Sequence, residues 1–207
     1  MQSLQTEISD TPICEVGSKS PSTIERNYLA TILTHPIIPL SIGLLAAREQ
    51  IPWRLILVGM LCAMIPDADV LAFKFGVEYA SPFGHRGFTH SLVFAAGLAS
   101  IFCIYAKTLK AERLIVWLFC FIATASHPIL DAFTNGGLGV AFYWPFNSER
   151  FFFAQRFIEV SPIGVGRFFS ERGLAVIQSE LQWIWLPCSV FVVGFHFVKN
   201  LKQGKKN

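Results

Sequence analysis

Five stretches of this chain, at about 28–47, 52–73, 89–106, 114–133 and 181–198, run close to 20 residues each with almost no charge. About 20 apolar residues of helix cross a bilayer core, and backbone groups inside lipid must be satisfied within the segment. The runs therefore predict an all-α polytopic membrane helix bundle of about five transmembrane helices. Composition excludes the competing classes. Hydrophobic residues make up 53% and charged residues 15%, whereas soluble domains carry about 25% charge. Twenty Phe argue against disorder. Cys14, Cys62, Cys103, Cys120 and Cys188 are scattered, form no CxxC, and mostly lie in apolar runs, so a disulfide scaffold is not expected. A net charge of +3 without a basic patch gives no reason to expect a nucleic-acid partner. The partner this composition implies is the lipid bilayer; it carries no signal for oligomeric state.

Outside the runs, residues 1–27 are polar and lack the basic-then-apolar start of a signal peptide. They read as a mobile N-terminal tail, 28–199 as a single membrane-embedded helical domain, and 200–207 as a basic C-terminal tail. The connection at about 134–180 mixes Phe142–Phe146 and Phe151–Phe153 with Arg150, Arg156 and Arg167. Such a segment suits the membrane interface, where aromatic rings sit at headgroup level, and equally a loop packed over the protein. With five spans, the 48–54 and 107–113 turns share a side with the C-terminal tail. That side carries nine Lys/Arg and two acidic residues; the other carries eight and twelve. Basic residues in short turns and at span ends mark the cytoplasmic side, which puts the C-terminus in the cytoplasm.

The ionisable residues near the spans fall at one level. His35 is early in the first span, Asp67 and Asp69 late in the second, His85 and His90 before or at the start of the third, and His127 and Asp131 late in the fourth. Alternation of direction brings all seven to the non-cytoplasmic end, while His196 goes to the other. His127 and Asp131, spaced i, i+4, share one helix face. That suits two ligands of one metal, and equally a local His–Asp hydrogen bond. Pro66-Asp67-Ala68-Asp69 ends a helical run with two carboxylates that could share a centre, or could be a solvated helix end. His85-Arg86-Gly87-Phe88-Thr89-His90-Ser91 reads as a turn into a helix, with Thr89 as cap and Arg86 available for a phosphate or other oxyanion. Carboxylates at membrane depth are costly unless paired or coordinated, and a shared divalent metal offsets that cost for several at once. No GxSxG, P-loop or GxGxxG occurs, and Gly136-Gly137-Leu138-Gly139 reads as a turn.

In order, Ile65-Pro66-Asp67-Ala68-Asp69, His85 to Ser91, His127-Pro128-Ile129-Leu130-Asp131-Ala132-Phe133-Thr134 and Trp144-Pro145-Phe146 resemble the YdjM-like family. Its members are bacterial inner-membrane proteins to which metal-dependent hydrolysis is attributed. The resemblance implies a multi-pass inner-membrane protein whose metal and catalytic set is His35, Asp67, Asp69, His85, His90, His127 and Asp131. The expected metal ligands are His35, Asp67, His90, His127 and Asp131. Asp69 is the expected base, with Asp67 and Asp69 interchangeable between the two roles. His85 and Arg86 would stabilise developing negative charge. Zinc fits mixed His/Asp ligands best, and manganese is an alternative. The expected activity is hydrolysis of an ester or phosphoester in a lipid or lipid-linked substrate. A proton or metal relay in a transporter and a metal that only staples helices stay open; an accessible coordination position would distinguish the enzyme from the staple.

Overall fold

The computed structural model describes residues 28–29, 34–47, 49–162 and 171–204. The expected N-terminal tail at 1–27, Arg167 and the last three residues lie outside the described residues. Among the described residues the architecture is helical, with one two-residue antiparallel pairing of β1 (Tyr28–Leu29) and β2 (Ser161–Pro162).

Among the described residues, the first predicted span contains a short helix, α1 (Ile37–Leu45). Pro36 begins it: its fixed φ of −59° suits a helix start, and a first-turn residue needs no N–H partner. Next, α2 (Trp53–Met64) runs without a break into a 3-10 segment, Ile65–Phe75. Pro66 cannot donate to the preceding turn, which favours the change of winding there. Its effect on the two carboxylates is direct. At 3.0 residues per turn, side chains two apart diverge by about 120°, against about 160° in an α-helix. Asp67 and Asp69 are thus both buried but face different neighbours.

A loop from Gly76 leads to a 3-10 turn, Phe88–His90, and then to α3 (Leu92–Cys103). The N-cap of α3 is Ser91, whose Oγ accepts from the Phe94 N–H at 3.0 Å. Thr89, expected to cap, lies within the 3-10 turn and instead donates to Asp69. The single turn α4 (Ala106–Leu109) precedes α5 (Arg113–Ala132), the central helix. It packs on α2 and α3, burying Leu55, Ile56, Cys62, Ala99, Val116, Phe119 and Ala123. Gly59 permits the closest approach: a Cβ there would come within 2.3 Å of the Phe119 ring.

The last helix is α6 (Glu171–Glu180), a π-helical turn (Leu181–Trp185) and α7 (Leu186–Gly204) in sequence. It is longer at both ends than the 181–198 run and takes in residues 200–204. None of α7 is buried. Among the described residues, three helical segments, Trp53–Phe75, Arg113–Ala132 and Glu171–Gly204, are long and apolar enough to cross a membrane, whereas Leu92–Cys103 is apolar but shorter. The bundle therefore combines long helices with the shorter α1 and α3, whose N-terminal ends stop at the level of the His/Asp residues.

Candidate metal centre

Four segments meet at one end of the bundle: the turn before α1, the 3-10 segment after α2, the 85–91 turn and the end of α5. There Asp67, His90, His127 and Asp131, all buried, each offer a ligand atom, and these atoms lie within 4.8 Å of one another. Side-chain hydrogen bonds orient both imidazoles. His127 Nδ1 lies 2.7 Å from the Ala63 carbonyl, an acceptor that holds the proton on Nδ1 and leaves the Nε2 lone pair facing inward. His90 Nδ1 faces Asp69 Oδ2 at 3.3 Å, again leaving Nε2 for the centre. Carboxylate or carbonyl partners of this kind commonly set the ring orientation of metal-binding histidines.

The two Nε2 atoms are 3.1 Å apart. A proton on either nitrogen makes this contact a hydrogen bond; with both Nε2 atoms deprotonated, a shared cation would take the proton's place. His127 Nε2 is 3.3 Å from Asp67 Oδ1, and His90 Nε2 is 3.2 Å from Asp131 Oδ2. With metal–ligand bonds of 2.0–2.2 Å, the edges of a tetrahedron are about 3.3 Å. Both oxygens of Asp67 and of Asp131 are buried without a hydrogen-bond partner. Arg86 compensates Asp131 in part, whereas the side chains beside Asp67 are imidazoles. A buried carboxylate costs several kcal/mol unless compensated, and a shared cation would lower that cost for both. The four residues thus form a group that could hold a divalent metal ion.

The other expected residues flank this group. Asp69 Oδ1 meets His85 Nδ1 at 2.7 Å, and Oδ2 accepts from Thr89 Oγ1 at 2.6 Å and from the Arg86 N–H at 3.3 Å. With both oxygens so engaged, Asp69 serves the surrounding layer. Together with His85 and His90 it makes a second buried group with ligand spacing. His35 stacks on His127 and comes within 4.0 Å of Asp131 Oδ1. Arg86 is fully buried in a left-handed backbone conformation, φ 62°. Its Nε lies 3.2 Å from Asp131 Oδ2, and its Nη1 donates to the Gly136 carbonyl at 2.8 Å. Nη2 has no hydrogen-bond partner. At the opposite end, His196 Nε2 sits 3.0 Å from the Leu44 carbonyl, remote from the cluster.

The connection after α5 closes over these residues. Val140 and Phe151 exchange backbone hydrogen bonds of 2.9 Å, and the Ala141 N–H reaches the Arg86 carbonyl at 3.0 Å. Arg150 binds the carbonyls of His85, Tyr79 and Ser81 at 2.9, 3.2 and 3.1 Å. The part of the connection through Phe151 is therefore packed on the protein. Arg150 anchors the loop before α3, and Arg156 lies over the Phe152 ring at 4.4 Å. Nothing in the sequence singles out Tyr79. Its ring stands edge-on to His85, and its buried hydroxyl has no hydrogen-bond partner. Burial pushes its pKa up, so it stays a hydroxyl donor. Gly137, with φ 85°, lies against it: a Cβ there would meet the Tyr79 hydroxyl at 2.7 Å and Arg86 Nη1 at 2.8 Å. The Asn-Gly-Gly turn thus wraps two of the buried donors.

Comparison with known proteins gives three findings. The family model described as "YdjM inner membrane protein" matches residues 30–202. "Inner membrane protein YbcI" of Escherichia coli (strain K12) is 46% identical over 161 residues, covering 77% of this chain and 92% of that protein. "Uncharacterized protein YvsG" of Bacillus subtilis (strain 168) is 35% identical over 91 residues, 41% of this chain and 54% of that protein. No solved structure matches.

Proposed function

The chain belongs to the YdjM inner membrane protein family, and from its buried His/Asp cluster we propose a membrane-embedded, metal-dependent hydrolase. The observation that carries this reading is the inward-facing set of ligand atoms on Asp67, His90, His127 and Asp131, with carboxylate oxygens that have charged or imidazole neighbours but no hydrogen-bond partner. Zinc suits this His₂Asp₂ set, and manganese is the alternative. A divalent cation bound there would supply Lewis-acid polarisation and lower the pKa of water toward neutrality.

The chain's own residues then have distinct tasks. The Ala63 carbonyl and Asp69 orient His127 and His90. In this arrangement Asp69 positions imidazoles rather than acting as the base; the unpartnered second oxygen of Asp67 is the better proton acceptor. Arg86 Nη2 and the Tyr79 hydroxyl are buried donors available to a substrate oxyanion. The connection held by Arg150 limits water access. Phe75, Phe83 and Phe146 are exposed, in the segments that close this end of the bundle. Such rings favour headgroup level and support an ester or phosphoester of a lipid or lipid-linked molecule as substrate.

The test is hydrolysis by the full chain in detergent with added zinc, over a panel of carboxylic and phosphoric esters with lipid tails. Wild type should turn over at least one member. Arg86→Lys keeps the charge but not the fork of donors, so it should retain metal and lose about 10²–10³ in kcat, the typical cost of losing one oxyanion donor. A metal-replete wild type inert toward the whole panel would overturn the hydrolase reading.

We further propose that the C-terminus is cytoplasmic and the cluster faces the opposite side, on the basic residues of the short turns. A C-terminal alkaline phosphatase fusion should be inactive and a C-terminal green fluorescent fusion bright. The converse pair of results reverses the orientation.

A further inference from the structure

His35 stands beside the four-atom group rather than within it. Its ring lies on that of His127, centroids 3.6 Å apart and planes 20° apart. Both of its nitrogens are buried without a hydrogen-bond partner. A histidine kept only for packing would ordinarily satisfy at least one ring nitrogen; this one satisfies neither. The two stacked imidazoles also address opposite oxygens of a single carboxylate. His127 Nε2 is 3.7 Å from Asp131 Oδ2, and His35 Nε2 is 4.0 Å from Asp131 Oδ1. Asp67 presents only Oδ1 to His90 and His127, at 3.9 and 3.3 Å. Its Oδ2 is buried and unpartnered.

A carboxylate with one oxygen on each of two parallel imidazoles has the disposition of a bridging ligand. Two-metal centres hold their ions about 3.5–4 Å apart, which is the spacing of the stacked rings. We propose that the cluster binds two divalent cations. The first is held by His90, His127, Asp67 Oδ1 and Asp131 Oδ2. The second is held by His35 Nε2 and Asp131 Oδ1. The inference rests on the metal-centre reading above and narrows it. Paired cations clamp the attacking and leaving oxygens of an in-line displacement, which favours a phosphoester over a carboxylic ester.

The experiment counts metal directly. Full-length protein in detergent is loaded with zinc, freed of excess by gel filtration and assayed for zinc per chain by mass spectrometry. Wild type should carry two, and His35→Ala one. Because His35→Ala could fail to fold, wild type loaded with manganese is also examined by electron paramagnetic resonance. A spin-coupled signal supports two adjacent ions, and an isolated six-line spectrum overturns them. One zinc in wild type, or two in His35→Ala, sinks the second site and leaves a single-metal centre standing. No zinc in wild type removes both this inference and the hydrolase reading.

Discussion

Asp131→Ala, in the full chain purified in detergent, should lose its divalent metal and unfold about 10 °C below wild type. Asp131 is buried at the point where the cluster's charges converge, with Arg86 Nε and His90 Nε2 each 3.2 Å from Oδ2. Deleting the carboxylate removes a ligand and also strands a fully buried guanidinium. Removing one partner of a buried ion pair costs about 3–5 kcal/mol, and each kcal/mol shifts the midpoint by about 2–4 °C in a chain of this size. Asp131→Asn keeps the side-chain volume and a hydrogen-bond acceptor for Arg86, so it should lose metal with a smaller thermal penalty. Thermal denaturation followed by tryptophan fluorescence, with metal analysis of the same samples, measures both effects. An Asp131→Ala protein that melts at the wild-type temperature with its metal retained would remove Asp131 from the centre.

Chelation should destabilise wild type and leave His127→Ala nearly indifferent. The candidate ligands come from the 3-10 segment after α2, the turn before α3 and the end of α5, so a bound ion links elements far apart in sequence. A ligand that binds only the folded state adds RT ln(1 + [L]/Kd), about 2.7 kcal/mol at a hundredfold excess of free metal over Kd. Wild type treated with EDTA should lose about that much and regain it on adding zinc. Matching responses in wild type and His127→Ala would mean that the chelator acts elsewhere.

Much of this centre is visible in the sequence because alternating helix direction is a simple rule. Residues late in one apolar run and early in the next must reach the same end, and Asp67, His90, His127 and Asp131 do. The i, i+4 spacing of His127 and Asp131 is local and therefore legible. What depends on winding or distant contacts is not. Nothing in Pro66-Asp67-Ala68-Asp69 announces that the 3-10 segment continues to Phe75 and divides the two carboxylates between different partners. Arg86 reads as a turn residue available to an oxyanion, and the sequence does not show that it is fully buried, with the Asn135-Gly136-Gly137 turn, 50 residues later, lying over it. Tyr79 looks like any loop aromatic until Gly137 is placed beside it. Arg150 suits an interfacial loop by composition, but its three carbonyl partners fix its role in the fold. Helix lengths are also set by their ends. Pro36 starts α1 inside a stretch whose hydropathy continues further toward the N-terminus, and Ser91 starts α3 two residues into its predicted run.

The 3-10 winding after α2 makes the chain unequal in its tolerance of length change. One residue inserted between Pro66 and Asp69 would swing every following side chain of the segment by about 120°. Asp69 would then leave His85 and Thr89, and no rotamer could restore all of its partners. The turn at 76–78, ahead of Tyr79, is irregular and largely exposed backbone, and it can lengthen with less consequence at the centre. Insertions and deletions among descendants of this sequence should therefore collect in 76–78, while the interval between the two carboxylates stays at one intervening residue.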